Sequence, residues 1–80
     1  MERQIKLIWD FRGNESMQFA RHHEKHLQDF IEINNITGFT TTGIEEISTT
    51  HAIAFWIVPE VEMKKYRDLL KPHRGTFYGN

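Results

Sequence analysis

Eighty residues make one domain, 1–80, and a chain this short buries only about 60% of the surface its unfolded form exposes, so its core needs support from a disulfide, a metal or a partner chain. There is no cysteine, which excludes disulfides, thiolate metal sites and thiol redox chemistry and leaves a metal or an oligomer. Ten basic residues against eleven acidic ones lack the cationic excess that neutralising phosphates requires, so nucleic acid is not an expected partner.

The longest apolar run, Ala52 to Val58, is far short of the roughly 20 residues that cross a bilayer. Met1 to Gln4 lead straight into a strand pattern instead of a charged-then-apolar signal layout. The expectation is a cytoplasmic protein with no membrane partner.

From Gln4 to Arg12 the residues alternate, Ile5, Leu7, Trp9 and Phe11 on one face and Lys6, Ile8, Asp10 and Arg12 on the other, which predicts a half-buried strand. Gly13-Asn14 supplies a turn and an N-cap, with Glu15 at the positive end of a helix dipole. The helix is predicted to run to about Asn34. At 100° per residue its inward stripe is Ala20, His23, Leu27, Phe30 and Ile31, and Gln18, Arg21, Lys25, Gln28 and Glu32 face water. Phe19, His22, His26 and Ile33 make a second, partly apolar strip beside the first.

Asn34-Asn35 ends this helix, and a Thr-rich strand is predicted from about Phe39 to Ile47, with Gly43 as a bulge. A polar turn at Ser48-Thr49-Thr50 returns the chain into a strand from His51 to Val58, giving an antiparallel hairpin. That strand carries Ile53, Phe55 and Ile57 on one face and Ala52, Ala54, Trp56 and Val58 on the other, so both faces demand cover. Pro59-Glu60 starts a second helix on Met63, Tyr66, Leu69 and Leu70. Pro72 stops it, and Gly75 to Tyr78 form a closing strand.

This order predicts an α+β, ferredoxin-like βαββαβ fold, with an antiparallel four-stranded sheet, the first and third strands central and both helices on one face. The expected open face holds Ala52, Ala54, Trp56 and Val58 beside Ile8. Apolar surface of that kind marks an interface or a ligand groove, so a second copy docked sheet to sheet is the expected lid. Trp56 is then a dimer anchor or a stacking wall above a pocket floored by Ala52 and Ala54, with Arg12 as an anion anchor or a salt-bridge partner of Asp10.

Three of the five histidines lie in Arg21-His22-His23-Glu24-Lys25-His26. His22 and His26, four apart, share one side of a helix and suit a common divalent metal, with Asp10, Glu24, Asp29, His51 and His73 as the candidates to complete it. His23, near the middle of the inward stripe, is either a satisfied core imidazole or a general acid or base. Asp10 ends the strand that feeds this helix, and the two meet only if the strand end twists, because alternation aims Asp10 at the open face. Lys71, His73 and Arg74 are expected to complement the C-terminal end of the second helix. His51, at a hairpin edge, shows no evident partner.

The stretch Trp9-Asp10-Phe11-Arg12-Gly13 followed by Phe19-Ala20-Arg21-His22-His23-Glu24-Lys25-His26-Leu27, in this order of elements, resembles the dimeric α+β barrel superfamily, in particular its YCII-related and EthD-like proteins. The resemblance implies a homodimer with a small-molecule pocket between or beside the sheets. It also implies an Asp and His pair in acid-base work, with Asp10 matching the strand-end acid and His23 or His26 the helix histidine. The glycine-rich phosphate loop of an acylphosphatase and the basic, aromatic central strands of an RNA-recognition domain are both absent.

The functional expectation is a small homodimeric binding domain with a small-molecule ligand at the sheet face, with or without lyase- or isomerase-like activity and with no cofactor. Its rivals are a metal-binding protein using His22 and His26, and a non-catalytic interaction domain.

Overall fold

Residues 3–79 are described by a computed structural model. The elements follow the predicted order: β1 (Gln4–Arg12), α1 (Ser16–Ile33), β2 (Thr42–Ser48), β3 (His51–Pro59), α2 (Glu60–Leu70) and β4 (Arg74–Tyr78). The strands form one open antiparallel sheet in the order β2-β3-β1-β4, with β1 and β3 central. Both helices cover the same face, where Ile5, Leu7 and Trp9 of β1 and Trp56 and Val58 of β3 pack against Leu27 and Ile31 of α1 and Tyr66 of α2.

The pairing of β1 with β3 decides which face is which. Leu7 lies opposite Trp56, Trp9 opposite Ala54 and Phe11 opposite Ala52, and directly opposed residues share a face. Ala52, Ala54, Trp56 and Val58 therefore line the helix side, all of them fully buried. This corrects the placement of Ala54 and Trp56 on an open, ligand-binding face. The small side chains of Ala52 and Ala54 meet Ala20 of α1, so they are a helix-docking surface, not a pocket floor.

Trp56 is the hub of an aromatic cluster. Its ring stacks on Phe39 at 5.9 Å, tilts against Tyr66 at 4.8 Å and meets the edge of Phe30 at 6.1 Å. Its indole N–H donates to the Phe39 carbonyl at 3.0 Å, as a buried indole must to avoid an unpaired donor. That bond explains why β2 begins at Thr42 and not near Phe39. The segment 36–40 closes one end of the core instead of extending the sheet, with Ile36 and Phe39 packed on the cluster.

Helix α1 starts later than its turn residues suggest, with Glu15 at the N-cap and no side-chain cap. Its end is a Schellman motif: Asn35 adopts φ 53°, the Ile36 N–H bonds the Ile31 carbonyl and the Asn35 N–H bonds the Glu32 carbonyl. The stripe is as read from the sequence, Ala20, Leu27 and Ile31 buried and His23 and Phe30 half-buried. The flanking Phe19 and Ile33 are 53% and 76% exposed. Helix α2 ends on left-handed Lys71, whose N–H reaches the Arg67 carbonyl, and Pro72 bars its continuation. Gly43 is not a bulge: a Cβ there would collide with the Phe55 ring, and the irregularity in β2 falls between Glu46 and Ser48.

The face away from the helices carries Ile8, Ile53, Phe55 and Ile57. It is not a bare apolar patch, since Ile8, Ile53 and Ile57 are only 3–4% exposed. Lys6 lies 4.3 Å over the Phe55 ring and 3.6 Å from Glu45, its apolar stem spread along the sheet. Asp10, His51 and Arg74 cross the other end.

Replacing the core indole, Trp56→Ala, is expected to lower the unfolding free energy by about 3 to 5 kcal/mol, a large part of the roughly 4 to 12 kcal/mol available to a chain of this length. Trp56→Phe, which keeps apolar bulk but strands the Phe39 carbonyl, is expected to cost about 1 to 3 kcal/mol. Urea unfolding followed by circular dichroism measures both, and an unshifted Trp56→Ala midpoint would refute the hub role.

Candidate functional site

Three strands contribute to one polar cluster on the helix-free face. Side chains at alternate positions of β1 put Asp10 there, and across the β1–β3 pairing its direct neighbour is Ile53 and its diagonal neighbour His51. Across β1–β4, Arg74 is opposite Ile8 and so also diagonal to Asp10. His51 Nε2 lies 2.7 Å from Asp10 Oδ1. Arg74 clamps the same carboxylate through both of its edges, Nε to Oδ2 at 2.9 Å and Nη2 to Oδ1 at 3.0 Å, the bidentate geometry in which a guanidinium is strongest. Asp10 and His51 are largely withdrawn from solvent, and Arg74 is half exposed.

The Arg74 clamp, aided by the His51 bond, holds the Asp10 carboxyl well below the usual carboxylate range despite its burial. The same bond raises the Arg74 guanidinium above its usual value. An ionised carboxylate only accepts hydrogen bonds, so the proton between the two rests on His51 Nε2. The Nδ1 lone pair of the neutral ring then points away from Asp10, with no hydrogen-bond partner among the described residues. This is a carboxylate-oriented imidazole, the arrangement in which the second nitrogen acts as a base.

His73 supports the cluster from the backbone. Its Nδ1 accepts the Asp10 N–H at 2.8 Å and its own N–H donates to the Ile8 carbonyl at 2.9 Å, continuing the β1–β4 pairing up to the strand end. His73 and Arg74 thus anchor the β4 side of the cluster, and the expectation that they serve the α2 terminus is replaced.

The histidines expected beside Asp10 are elsewhere. His23 is on the helix side of β1, its ring 4.7 Å from Trp9 and 5.6 Å from Phe11, and its Nε2 is buried without a hydrogen-bond partner among the described residues. Glu24, named above as a further metal ligand, accepts a bond from Thr42 at 3.0 Å. Burial, reinforced by the nearby His26, His73 and His22, depresses the His23 pKa. His26 is exposed on the outer side of α1 and bonds His22, Nε2 to Nε2, at 2.9 Å. The Asp10–His23 and Asp10–His26 pairs are therefore not formed, because the sheet separates them.

Arg12 lies opposite His51 but is exposed and forms no ion pair among the described residues, Arg74 holding the carboxylate in its place. Among the described residues no three His, Asp or Glu side chains are arranged to hold a metal, so the wider set weighed around His22 and His26 does not assemble. A groove of about 420 Å³ opens on the helix side between α2 and β4, floored by Ile5 and Leu7 and flanked by Met63, Arg67 and Phe77.

No helix among the described residues is long and apolar enough to cross a membrane. No protein-family model matches the chain, and comparison with curated proteins and with solved structures finds no significant match.

The two depressed pKa values give separate acid transitions. For His23, the unfolded chain takes up a proton near the ordinary value of about 6.5 while the folded chain resists it, so stability is full above that pH and falls as the pH drops below it. For Asp10 the folded state keeps its charge below the ordinary value of about 3.8, so its contribution is present above that pH and is lost as the pH falls further. Urea midpoints measured from pH 8 to pH 3 are expected to decline in both windows. His23→Leu should flatten the upper one only and Asp10→Asn the lower one only, and a single variant that flattens both would contradict the separation of the two sites.

Proposed function

We propose that the chain is a small-molecule-binding domain whose site is the Asp10–His51–Arg74 cluster, with His51 Nδ1 as the acid-base group, and that it works as a sheet-to-sheet homodimer. The supporting observation is the 2.7 Å bond that fixes the His51 ring against a carboxylate kept ionised by Arg74. A proton taken up at Nδ1 makes an imidazolium whose charge Asp10 offsets, which is how a paired carboxylate raises the usefulness of a histidine in proton transfer.

Arg74 spends two N–H groups on Asp10 and retains others, so it can attract a ligand carboxylate to the same place. Beside the cluster, Phe55 supplies an apolar wall. In a single copy this site is open on the side away from the sheet. A second sheet laid over it supplies the missing wall and excludes water from the proton transfer. The arrangement suits small organic acids undergoing proton transfer, as in a lyase or isomerase. It agrees with the partner and ligand that the resemblance to dimeric α+β barrels implies, while moving the histidine from α1 to β3.

Two measurements test the proposal. Light scattering is expected to give a dimer at micromolar concentration, and Phe55→Glu, which sets a carboxylate beside Lys6 on the face that docks, is expected to give a folded monomer; a monomeric wild type refutes the dimer. A panel of small hydroxy- and keto-carboxylates titrated into labelled protein is expected to move the amide resonances of Asp10, His51 and Arg74 together, with the shifts lost in His51→Ala. Shifts confined to the α2–β4 groove would reject the cluster as the binding site.

A further inference from the structure

The pair on the outer side of α1 has a geometry of its own. His22 and His26 are one helical turn apart, both exposed, with their Nε2 atoms 2.9 Å from each other and their rings edge to face at 85°. The helix beneath them is fixed by Ala20, Leu27 and Ile31, all buried in the core, so the two Cβ positions are set before anything binds. Without a cation, the contact requires one ring to donate its Nε2 proton to the other's lone pair. With a cation, the donor ring takes the tautomer that carries its proton on Nδ1, so that both Nε2 lone pairs turn to the ion, and since the rings are on the surface this rotation disturbs no core contact.

The ligand type selects the metal. Two imidazoles one turn apart offer a cation two nitrogen ligands on exposed rings that are free to rotate, and for divalent first-row ions on such ligands affinity rises through Ni(II) to a maximum at Cu(II). From this we infer that His22 and His26 form a bidentate surface site for Cu(II) or Ni(II), independent of the Asp10–His51–Arg74 cluster. No further His, Asp or Glu among the described residues is arranged to complete a set of three, so water fills the remaining positions. Chelation across one turn also clasps α1, and a metal that binds the folded helix better than the unfolded chain stabilises the fold.

Titration of the full chain with CuCl2 and with NiCl2, followed calorimetrically and by thermal unfolding, tests this inference. The expected result is a site of one ion per chain, tighter for copper and accompanied by a rise in Tm. Both effects should weaken roughly tenfold or more in His22→Ala or His26→Ala, because each variant reduces a chelate to a single imidazole. Both substitutions are on the surface, so the variants fold. Copper should broaden amide signals around His22 and His26 and leave those of the β2–β3 turn intact, and its electron paramagnetic resonance should show two equatorial nitrogens. Unchanged affinity in His22→Ala, or broadening centred on His51 or His73, would overturn the assignment.

Discussion

Everything distinctive in this molecule depends on the register in which β1 pairs with β3, from Gln4 opposite Pro59 to Arg12 opposite His51. Because side chains alternate along a strand, a slip of one residue would exchange the faces of a whole strand. The register is held by matched bulk on the helix side, where Trp9 and Phe11 are opposite Ala54 and Ala52, and Leu7 is opposite Trp56. Large residues on one strand fill what small ones leave on the other, and Ala20 of α1 enters the space over the alanines. On the reverse side the same register brings Asp10 diagonal to His51. Core packing and the polar cluster are thus two faces of a single alignment.

Much of the fold is legible in the amino-acid order because its signals are local. The alternation of β1, the 3.6-residue stripe of α1 and the breakers Asn34-Asn35 and Pro72 each lie within one element. Strand β3 is different: it is apolar on both faces, so periodicity identifies a buried strand without saying which side meets the helices. Only the partner strand decides, and the inference that Trp56 faces outward failed there. The start of β2 was obscured for a related reason, since Phe39 is drawn away from the sheet by an indole donor in a distant strand.

The candidate site was half legible. Asp10 stands out as an acid at a strand end, and alternation already aimed it away from the helices. Its partners are 41 and 64 residues further on, and no spacing rule reaches that far. The signal that would have found His51 is its position at the first residue of the hairpin's return strand, which antiparallel pairing brings to the end of β1. The dense histidine run of α1 is the stronger signal in the sequence, yet an α-helix distributes three such residues over different surroundings, His23 against Trp9 and His22 and His26 facing out. Polar side chains do a second task on the sheet, where Lys6, Glu45, Asp10 and Arg74 shelter isoleucines that would otherwise be bare.

The two indoles hold the chain together in a reciprocal way. Trp56, in the second β-α-β half, donates to the carbonyl of Phe39 in the connection of the first, while Trp9, in the first half, donates to the carbonyl of Leu70 at the end of the second half's helix. Each half therefore carries a buried donor whose acceptor belongs to the other. A chain severed at the turn between Ser48 and His51 would yield two fragments, each with an indole left unsatisfied until it met its complement. Each half thus completes the buried hydrogen bonding of the other, a coupling that favours one cooperative unit over two.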